Sequence, residues 1–296
     1  MSTPLVSVIV ATYRRKESLK HALSSLTQQT YTNTEILLVD DNDNQTWNQT
    51  VREIAESVLA DFPKYRLKII ENHPNLGSAR ARNAGIIAAS GDYITFLDDD
   101  DVYLPEKIAQ QIVAMMEVNA DYCITDLDLY NENGKLIDQR VRSYIRSESP
   151  EDLLKYHLMH HMTGTDTMMF RTEYLKKIGG FPPIDVGDEF YLMVEAIRGD
   201  GRFHYLPGCD VTAYVHTKGG LSSGEGKIRG ENELYRYKKT FFDCLDGKSR
   251  RYIRMRHHAV LAFAEIKRKR ILAFLYHGLK AFFSAPIACV NMLIKR

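Results

Sequence analysis

The chain has 296 residues, of which 44% are hydrophobic and 26% are charged. This composition excludes a disordered or collagen-like chain, and the length fits two average domains or one large α/β domain with an appendage. The four cysteines lie far apart without a C-x-x-C pair, which argues against a zinc site or a disulfide framework and favours a reducing, cytosolic setting.

The first third of the chain alternates short apolar runs with amphipathic segments. The pattern predicts strands at 6–10, 35–39, 67–70 and 93–97, with helices from residue 19, over 51–59 and up to residue 89. Strands joined by helices at such short intervals predict a mostly parallel sheet with right-handed crossovers. Polar residues follow three of these strands, at Thr12-Tyr13, Asp40-Asp41 and Asp98 to Asp101, so we expect them to share one edge of the sheet.

The rest of the chain is less regular. Pro105 is typical of the first turn of a helix, and runs at 122–130 and 135–137 flank Asn133-Gly134, which predicts a hairpin. Further helices are predicted from residue 149, from Thr172 to 179 and over 190–197, and strands at 203–206 and 211–215.

Four consecutive aspartates, Asp98 to Asp101, follow the predicted strand 93–97 directly. Adjacent carboxylates repel one another and raise each other's pKa, so a fold that keeps them at a strand end is expected to place a cation there. Carboxylate oxygens suit Mg²⁺ or Mn²⁺. The alternative is a solvated acidic loop.

Several short motifs together resemble the family 2 glycosyltransferases with a GT-A fold, over residues 4–225. They are, in chain order, the residues 6–15, Val39-Asp40-Asp41-Asn42, Asn75-Leu76-Gly77 with Ala81-Arg82-Asn83-Ala84-Gly85, Phe96 to Asp101, and Gly179-Gly180-Phe181. The resemblance implies a Rossmann-like, mostly parallel central sheet flanked by helices, and inverting transfer of a sugar from a nucleotide diphosphate sugar, of which a UDP-sugar is the expected kind.

The resemblance assigns eight residues to the nucleotide sugar: Thr12, Tyr13, Arg15, Asp41, Arg82, Asn83, Asp98 and Asp99. Asp41 would accept a hydrogen bond from uracil, or else it is an Asx-turn residue. Tyr13 would line the nucleotide, although an ordinary strand-to-helix turn explains it too. Arg82 would lie near the base and phosphates, or would be a solvated helix arginine.

The resemblance also implies a metal site and a general base. Asp100 is the expected ligand of Mn²⁺ or Mg²⁺, and His216 matches a histidine that often adds a contact. The base is expected in the acidic pair Asp188 and Glu189, which departs from the common Glu-Asp order. Which of the two is the base stays open, and the helix dipole alone would favour acids there.

The last segment, predicted here as a C-terminal helical extension over 226–296, is basic and apolar. From Lys248 onward it has twelve Lys and Arg against one acid, Glu265. We expect a basic amphipathic region at the inner face of the plasma membrane, and no nucleic-acid partner. The alternatives are an oligomer interface or a helical cap over the sheet. Residues 1–225 would form the catalytic domain, acting on a glycan or lipid-linked acceptor in cell-surface polysaccharide synthesis.

Two other functions fit parts of the pattern. A metal-dependent nucleotidyltransferase also uses aspartates at strand ends, but it would need a glycine- and lysine-rich phosphate loop after the first strand, where this chain has Ala11-Thr12-Tyr13-Arg14-Arg15. A non-catalytic sugar- or polyanion-binding protein would depend on the basic tail, and an intact base and aspartate run argue against it.

Overall fold

The structure is a computed structural model that describes residues 3–60, 66–184, 187–215 and 224–294. The chain forms two compact units, one from the segments 1–150 and 162–217 and the other from 151–161 and 218–296. The inclusion of 151–161 in the second unit has no signal in the sequence. The predicted domain boundary at residue 225 stays a prediction.

The strands are β1 (Val6–Thr12), β2 (Thr34–Asp40), β3 (Arg66–Glu71), β4 (Tyr93–Phe96), β5 (Val102–Tyr103), β6 (Tyr122–Thr125), β7 (Leu127–Asn131), β8 (Leu136–Arg140), β9 (Met168–Arg171), β10 (Phe203–Leu206) and β11 (Val211–Val215). The helices are α1 (Glu17–Thr27), α2 (Gln45–Leu59), α3 (Ser78–Ala88), α4 (Lys107–Glu117), α5 (Pro150–His160), α6 (Thr172–Lys177), α7 (Asp188–Arg198), α8 (Gly224–Lys239), α9 (Gly247–Lys267), α10 (Ile271–Ser284) and α11 (Pro286–Ile294), with 3-10 turns at Thr165–Thr167 and Phe242–Cys244.

The central sheet has seven strands in the order β10-β6-β9-β4-β1-β2-β3. Strands β4, β1, β2 and β3 are parallel, as the sequence predicts, whereas β9 runs antiparallel to both of its neighbours. The core joins the buried strands β1 and β2 to the apolar faces of α1 and α2, through Val8, Ile36, Leu23 and Val51. This packing fixes the C-terminal end of β1.

The run at 122–130 contains two strands, because the chain divides there into β6 in the central sheet and β7 in a second sheet of order β5-β11-β7-β8. The residue between them, Asp126, accepts hydrogen bonds from Arg142 N at 2.9 Å, Gly208 N at 3.1 Å and the Tyr205 hydroxyl at 2.7 Å. These three donors stabilise the break. The predicted hairpin is confirmed, since β7 and β8 pair antiparallel around Gly134, whose φ is +73°.

The second unit contains α8 to α11, which confirms the predicted C-terminal helical extension. A small buried cluster, Met255, Ala259, Ala281 and Cys289, joins α9, α10 and α11. Across the described residues, single helices fall short of the length and apolarity needed to cross a membrane. Helices α10 and α11 meet these criteria only as a pair, and a 117° bend separates them.

Glu35 on β2 ties three segments together. Its carboxylate accepts hydrogen bonds from Ser7 Oγ at 2.5 Å, Ser90 N at 2.7 Å, Ser90 Oγ at 2.8 Å and Gly91 N at 3.1 Å. Burial opposes the charged form, but these hydrogen bonds outweigh it and lower the pKa of Glu35. The charged carboxylate therefore stabilises the turn that leads into β4.

We expect Glu35→Gln to lower the free energy of unfolding at neutral pH by about 1–3 kcal/mol, because the amide is a weaker acceptor for these donors. A lowered folded-state pKa stabilises the protein above the unfolded pKa of about 4.3, and this contribution is lost as the pH falls through the folded value. Urea titrations at pH 7 and in acid measure it, with the exposed Glu56→Gln as control. A loss of stability in Glu35→Gln, relative to wild type, that grows as the pH falls would contradict this account.

Candidate active site

The ends of three neighbouring strands meet at one edge of the central sheet. Thr12 lies opposite Asp40 in the β1–β2 pair, and the next residue, Asp41, donates its N–H to Thr12 O at 3.0 Å. On the other side of β1, Leu97 N donates to Ile9 O at 3.0 Å and leads into the aspartate run. The expectation that the polar strand ends share an edge is confirmed.

Asp41 is buried and holds the loop before α3. Its carboxylate accepts hydrogen bonds from Asn72 Nδ2 at 2.9 Å, Asn75 Nδ2 at 2.9 Å, Leu76 N at 2.9 Å and Gly77 N at 2.8 Å. Two carboxylate oxygens offer about four acceptor positions, so the loop fills them. The predicted contact of Asp41 with the donor base stays a prediction, and the structure shows that Asp41 positions α3.

Asp99 and Asp100 bind the first loop after β1. Asp99 Oδ2 accepts hydrogen bonds from Thr12 Oγ1 at 2.8 Å and Tyr13 N at 3.2 Å. Arg15 lies 2.9 Å from Asp100 Oδ2 and 3.7 Å from Asp99 Oδ1. Burial, together with the charge of Asp100, raises the pKa of Asp99 to about 7. The predicted donor residues Thr12, Tyr13 and Arg15 therefore lie beside the aspartates.

Arg82 on α3 connects the aspartate run to the acidic pair that is predicted to contain the general base. Its guanidinium lies 2.6 Å from Asp98 Oδ1 and 2.8 Å from Asp188 Oδ2, and it packs over the Phe181 ring at 5.3 Å from the ring centre. Arg82 is only 9% exposed. Burial opposes its charge, but the two aspartates outweigh burial and raise the pKa of Arg82. An arginine so placed is not a solvated helix residue.

The base candidates begin α7. Gly187 precedes them at φ +75°, a conformation that glycine adopts readily, and Glu189 N donates to Asp188 Oδ1 at 3.1 Å. Burial raises the pKa of Asp188 to about 7 even though Arg82 opposes the shift, and burial also raises the pKa of Glu189. Raised carboxyl pKa values suit proton acceptance near neutral pH.

Asn83 connects α3 to the Gly179-Gly180-Phe181 turn. Its Nδ2 donates to Phe181 O at 2.6 Å, and Phe181 N donates to its Oδ1 at 2.9 Å. Gly180 has φ +69°, and a Cβ there would lie 2.6 Å from Asn83 Oδ1. In the structure Asn83 therefore binds the backbone of this turn, and its predicted contact with the donor stays a prediction.

A carboxylate cluster joins two members of the aspartate run to Asp166. Ligand atoms of Asp98, Asp101 and Asp166 lie within 4.8 Å of one another. Asp166 Oδ1 accepts Asp98 N at 2.6 Å, and Asp101 Oδ1 accepts Tyr214 N at 2.9 Å. Burial, followed by the charge of Asp166, raises the pKa of Asp101 well above its ordinary value. Such a donor set of hard oxygens fits Mg²⁺ or Mn²⁺.

Sequence reasoning missed Asp166 and did not single out Asp101. The available signal was a single acid in Thr163-Gly164-Thr165-Asp166-Thr167, a polar segment directly before an apolar run. The predicted ligand Asp100 is paired with Arg15, and the predicted ligand His216 lies outside the described residues.

A sequence profile described as glycosyl transferase family 2 matches residues 7–179. This chain belongs to that family. MJ1057, an uncharacterized glycosyltransferase of Methanocaldococcus jannaschii, is 30% identical over 212 residues, which cover 70% of this chain and 69% of that protein. WfgD of Escherichia coli, a UDP-Glc:alpha-D-GlcNAc-diphosphoundecaprenol beta-1,3-glucosyltransferase, is 31% identical over 147 residues, which cover 49% of this chain and 55% of WfgD.

The fold also matches a solved structure. S. aureus TarS 1–349 in complex with UDP-GlcNAc aligns with a TM-score of 0.59 and 18% identity, covering 94% of this family 2 chain and 91% of the TarS chain. At this identity the likeness concerns the fold alone. Together with the family it confirms the predicted GT-A fold.

We expect Arg82→Met to lower the free energy of unfolding by about 3 kcal/mol, because it leaves Asp98 and Asp188 without their cation. Arg80→Met on the same helix is the matched control, since Arg80 is exposed. Chemical denaturation measures both. Adding Asp188→Asn to Arg82→Met should recover part of the loss, because an amide needs no counter-charge. Equal losses in the Arg80 and Arg82 variants would refute this role.

Proposed function

We propose that this family 2 glycosyltransferase catalyses an inverting, metal-dependent transfer of a hexosyl group from a UDP-sugar to a glycan or lipid-linked acceptor in cell-surface polysaccharide synthesis. The observation that carries the proposal is the position of Arg82. Its guanidinium lies 2.6 Å from Asp98 Oδ1 in the aspartate run and 2.8 Å from Asp188 Oδ2 in the acidic pair. WfgD, named for a UDP-Glc donor and a diphosphoundecaprenol-linked acceptor, supports these substrate classes.

The metal would be held by Asp98, Asp101 and Asp166, with Asp100 as the ligand predicted from sequence. A bound divalent ion would neutralise the charge that develops on the departing nucleotide diphosphate. Asp99 holds Thr12 and the Tyr13 backbone, so it orients the loop that would line the nucleotide.

Inversion in one displacement requires a base that takes the proton of the acceptor hydroxyl on the side opposite the leaving group. The pair Asp188 and Glu189 supplies that base in the proposal. Arg82 positions Asp188 through the ion pair at 2.8 Å, and the raised pKa values of both carboxyls favour proton uptake.

Binding of UDP should require Mn²⁺ or Mg²⁺ and should weaken by at least about tenfold in Asp166→Asn and in Asp100→Ala, because each removes a candidate ligand. Calorimetry with added metal and with chelator measures this without any turnover. The control is Asp138→Asn on the exposed strand β8. Unchanged affinity in chelator would remove the metal from the proposal.

Replacing the true base by its amide should slow transfer by about 10²–10⁴-fold while UDP affinity stays within about twofold. The variants are Asp188→Asn and Glu189→Gln, and Glu195→Gln further along α7 is the control. A variant that loses UDP affinity as well identifies the positioning member of the pair. Near wild-type turnover in both would place the base elsewhere.

We further propose that the enzyme works at the inner face of the plasma membrane. Leu272, Phe283 and Ile287 on α10 and α11 are 84%, 75% and 79% exposed, and the segment from Lys248 carries twelve basic residues against one acid. Apolar side chains exposed beside basic ones suit a helix in the lipid headgroup layer.

The double variant Leu272→Asn/Phe283→Asn should dissociate from anionic vesicles at high salt, where wild-type protein stays partly bound. Salt screens the attraction between charges, so only the inserted apolar side chains hold the protein there. Vesicle co-sedimentation measures this, with Val113→Asn on α4 as the matched exposed control. A wild-type protein that stays in the supernatant, and whose oligomer dissociates in the double variant, would assign these helices to a subunit interface.

A further inference from the structure

The second unit contains a cavity of about 400 Å³ between α8, the end of α9 and the turn into α10. Four arginines and two glutamates account for its charge: Arg229, Arg236, Arg268, Arg270, Glu225 and Glu265. The cavity is outside the candidate active site, and nothing in the proposed transfer reaction uses it.

Three of the four arginines are available for a ligand. Arg268 is paired with Glu225 at 2.8 Å and with Glu265 at 3.4 Å. Within the part of the chain that the structure describes, the side chains of Arg229, Arg236 and Arg270 have no hydrogen bond or ion pair. The cavity therefore has a surplus of guanidinium groups, which bind phosphate oxygens in a bidentate manner.

Glu265 pairs with only one arginine of the cavity among the described residues. It is only 7% exposed, its Oε1 atom lies 3.4 Å from Arg268, and its Oε2 atom is closed to solvent, so that oxygen does not reach a ligand in the cavity. The three unpaired arginines thus fit an anion with several oxygens, such as a phosphate or a diphosphate.

The start of α10 contributes two more features to the same place. Arg270 is the N-cap residue, and no side chain caps the first-turn N–H groups of this 14-residue helix, whose N-terminus favours negative charge. The next two residues, Ile271 and Leu272, are 62% and 84% exposed. A phosphate site and an exposed apolar surface are therefore adjacent in the chain.

We infer that this cavity binds the phosphate head of a membrane lipid, with the phosphate on Arg229, Arg236 and Arg270 and the hydrocarbon chain along the exposed face of α10. Two lipids have this chemistry: an anionic phospholipid, and a polyprenyl diphosphate that carries a sugar. The first source is independent of the proposed transfer reaction, and the second rests on the proposed acceptor class.

The test compares two triple variants of the full-length chain with equal loss of charge. The first, Arg229→Gln/Arg236→Gln/Arg270→Gln, empties the cavity of its unpaired arginines. The control, Lys248→Gln/Arg251→Gln/Arg254→Gln, removes three exposed charges elsewhere in the unit. Binding is measured by co-sedimentation with phosphatidylcholine vesicles that contain either phosphatidylglycerol or a polyprenyl diphosphate sugar, and by competition with inorganic pyrophosphate.

The cavity variant should lose at least about tenfold more vesicle affinity than the control, and pyrophosphate should displace wild type only. Glu225→Gln should strengthen binding, since it frees Arg268 from one carboxylate. Loss restricted to one vesicle type identifies the lipid. Equal losses in both triple variants would overturn the inference in favour of diffuse surface charge.

Unchanged donor hydrolysis in the cavity variant keeps this inference separate from the proposed function, and it also shows that the chain is folded. If donor hydrolysis is absent in wild type while the cavity variant still loses lipid binding, the proposed reaction fails and the lipid site stands.

Discussion

The site depends on one buried cation. The Arg82 guanidinium is shared by Asp98 and Asp188, two carboxylates that are 90 residues apart in sequence and come from different elements. Without it, their like charges would lie in a largely buried place with nothing to compensate them. The Phe181 ring packs against the guanidinium, and Asn83 forms hydrogen bonds to the backbone of the same turn. Both contacts restrain α3 and so fix the position of Arg82.

The same constraint governs the whole aspartate run, since each carboxylate has a partner of its own. These partners are Arg82 for Asp98, Thr12 and Tyr13 for Asp99, Arg15 for Asp100 and Tyr214 for Asp101. The partners come from three parts of the first unit, with Thr12, Tyr13 and Arg15 all at the end of β1 and in the loop that follows it. The run therefore acts as a junction where the β1 loop, α3 and β11 converge, and its charge is distributed over the fold instead of being exposed to solvent.

The sequence predicts most of what local patterns control. Strands β1 to β4, the helices between them and the shared polar edge follow from periodicity and from the short connections. Sequence does not predict β9, because three apolar residues and an arginine after a polar turn look like any short core segment. It also misses the division at Asp126, because residues 122–130 contain no glycine or proline to mark a boundary, and the donors from Arg142 and Gly208 are known only from the structure.

The candidate site, too, is predicted only in part from the sequence. Motif residues such as Asp41 and Asn83 are predictable as important, but sequence assigns them to the ligand, whereas the structure shows what they do for the backbone. Asp166 is invisible to motif reasoning because it lies 65 residues beyond the run and has no acidic neighbour in the chain. Only the fold brings it within 4.8 Å of Asp98 and Asp101. A single sequence therefore does not predict a set of ligands that come from distant segments of the chain.

The net charge of +1 is the sum of an acidic first unit and a basic second unit. The carboxylates of the candidate active site are mostly buried and paired, so salt screens them little. The side chains of Arg229, Arg236 and Arg270 are exposed, and their attraction to an anion weakens within a Debye length of about 10 Å at 0.1 M salt. Ionic strength should therefore act on the exposed arginines of the second unit and leave the buried pairs of the candidate active site nearly unaffected. Under the proposed lipid binding, attachment would therefore vary with salt while the geometry of the candidate active site stays constant.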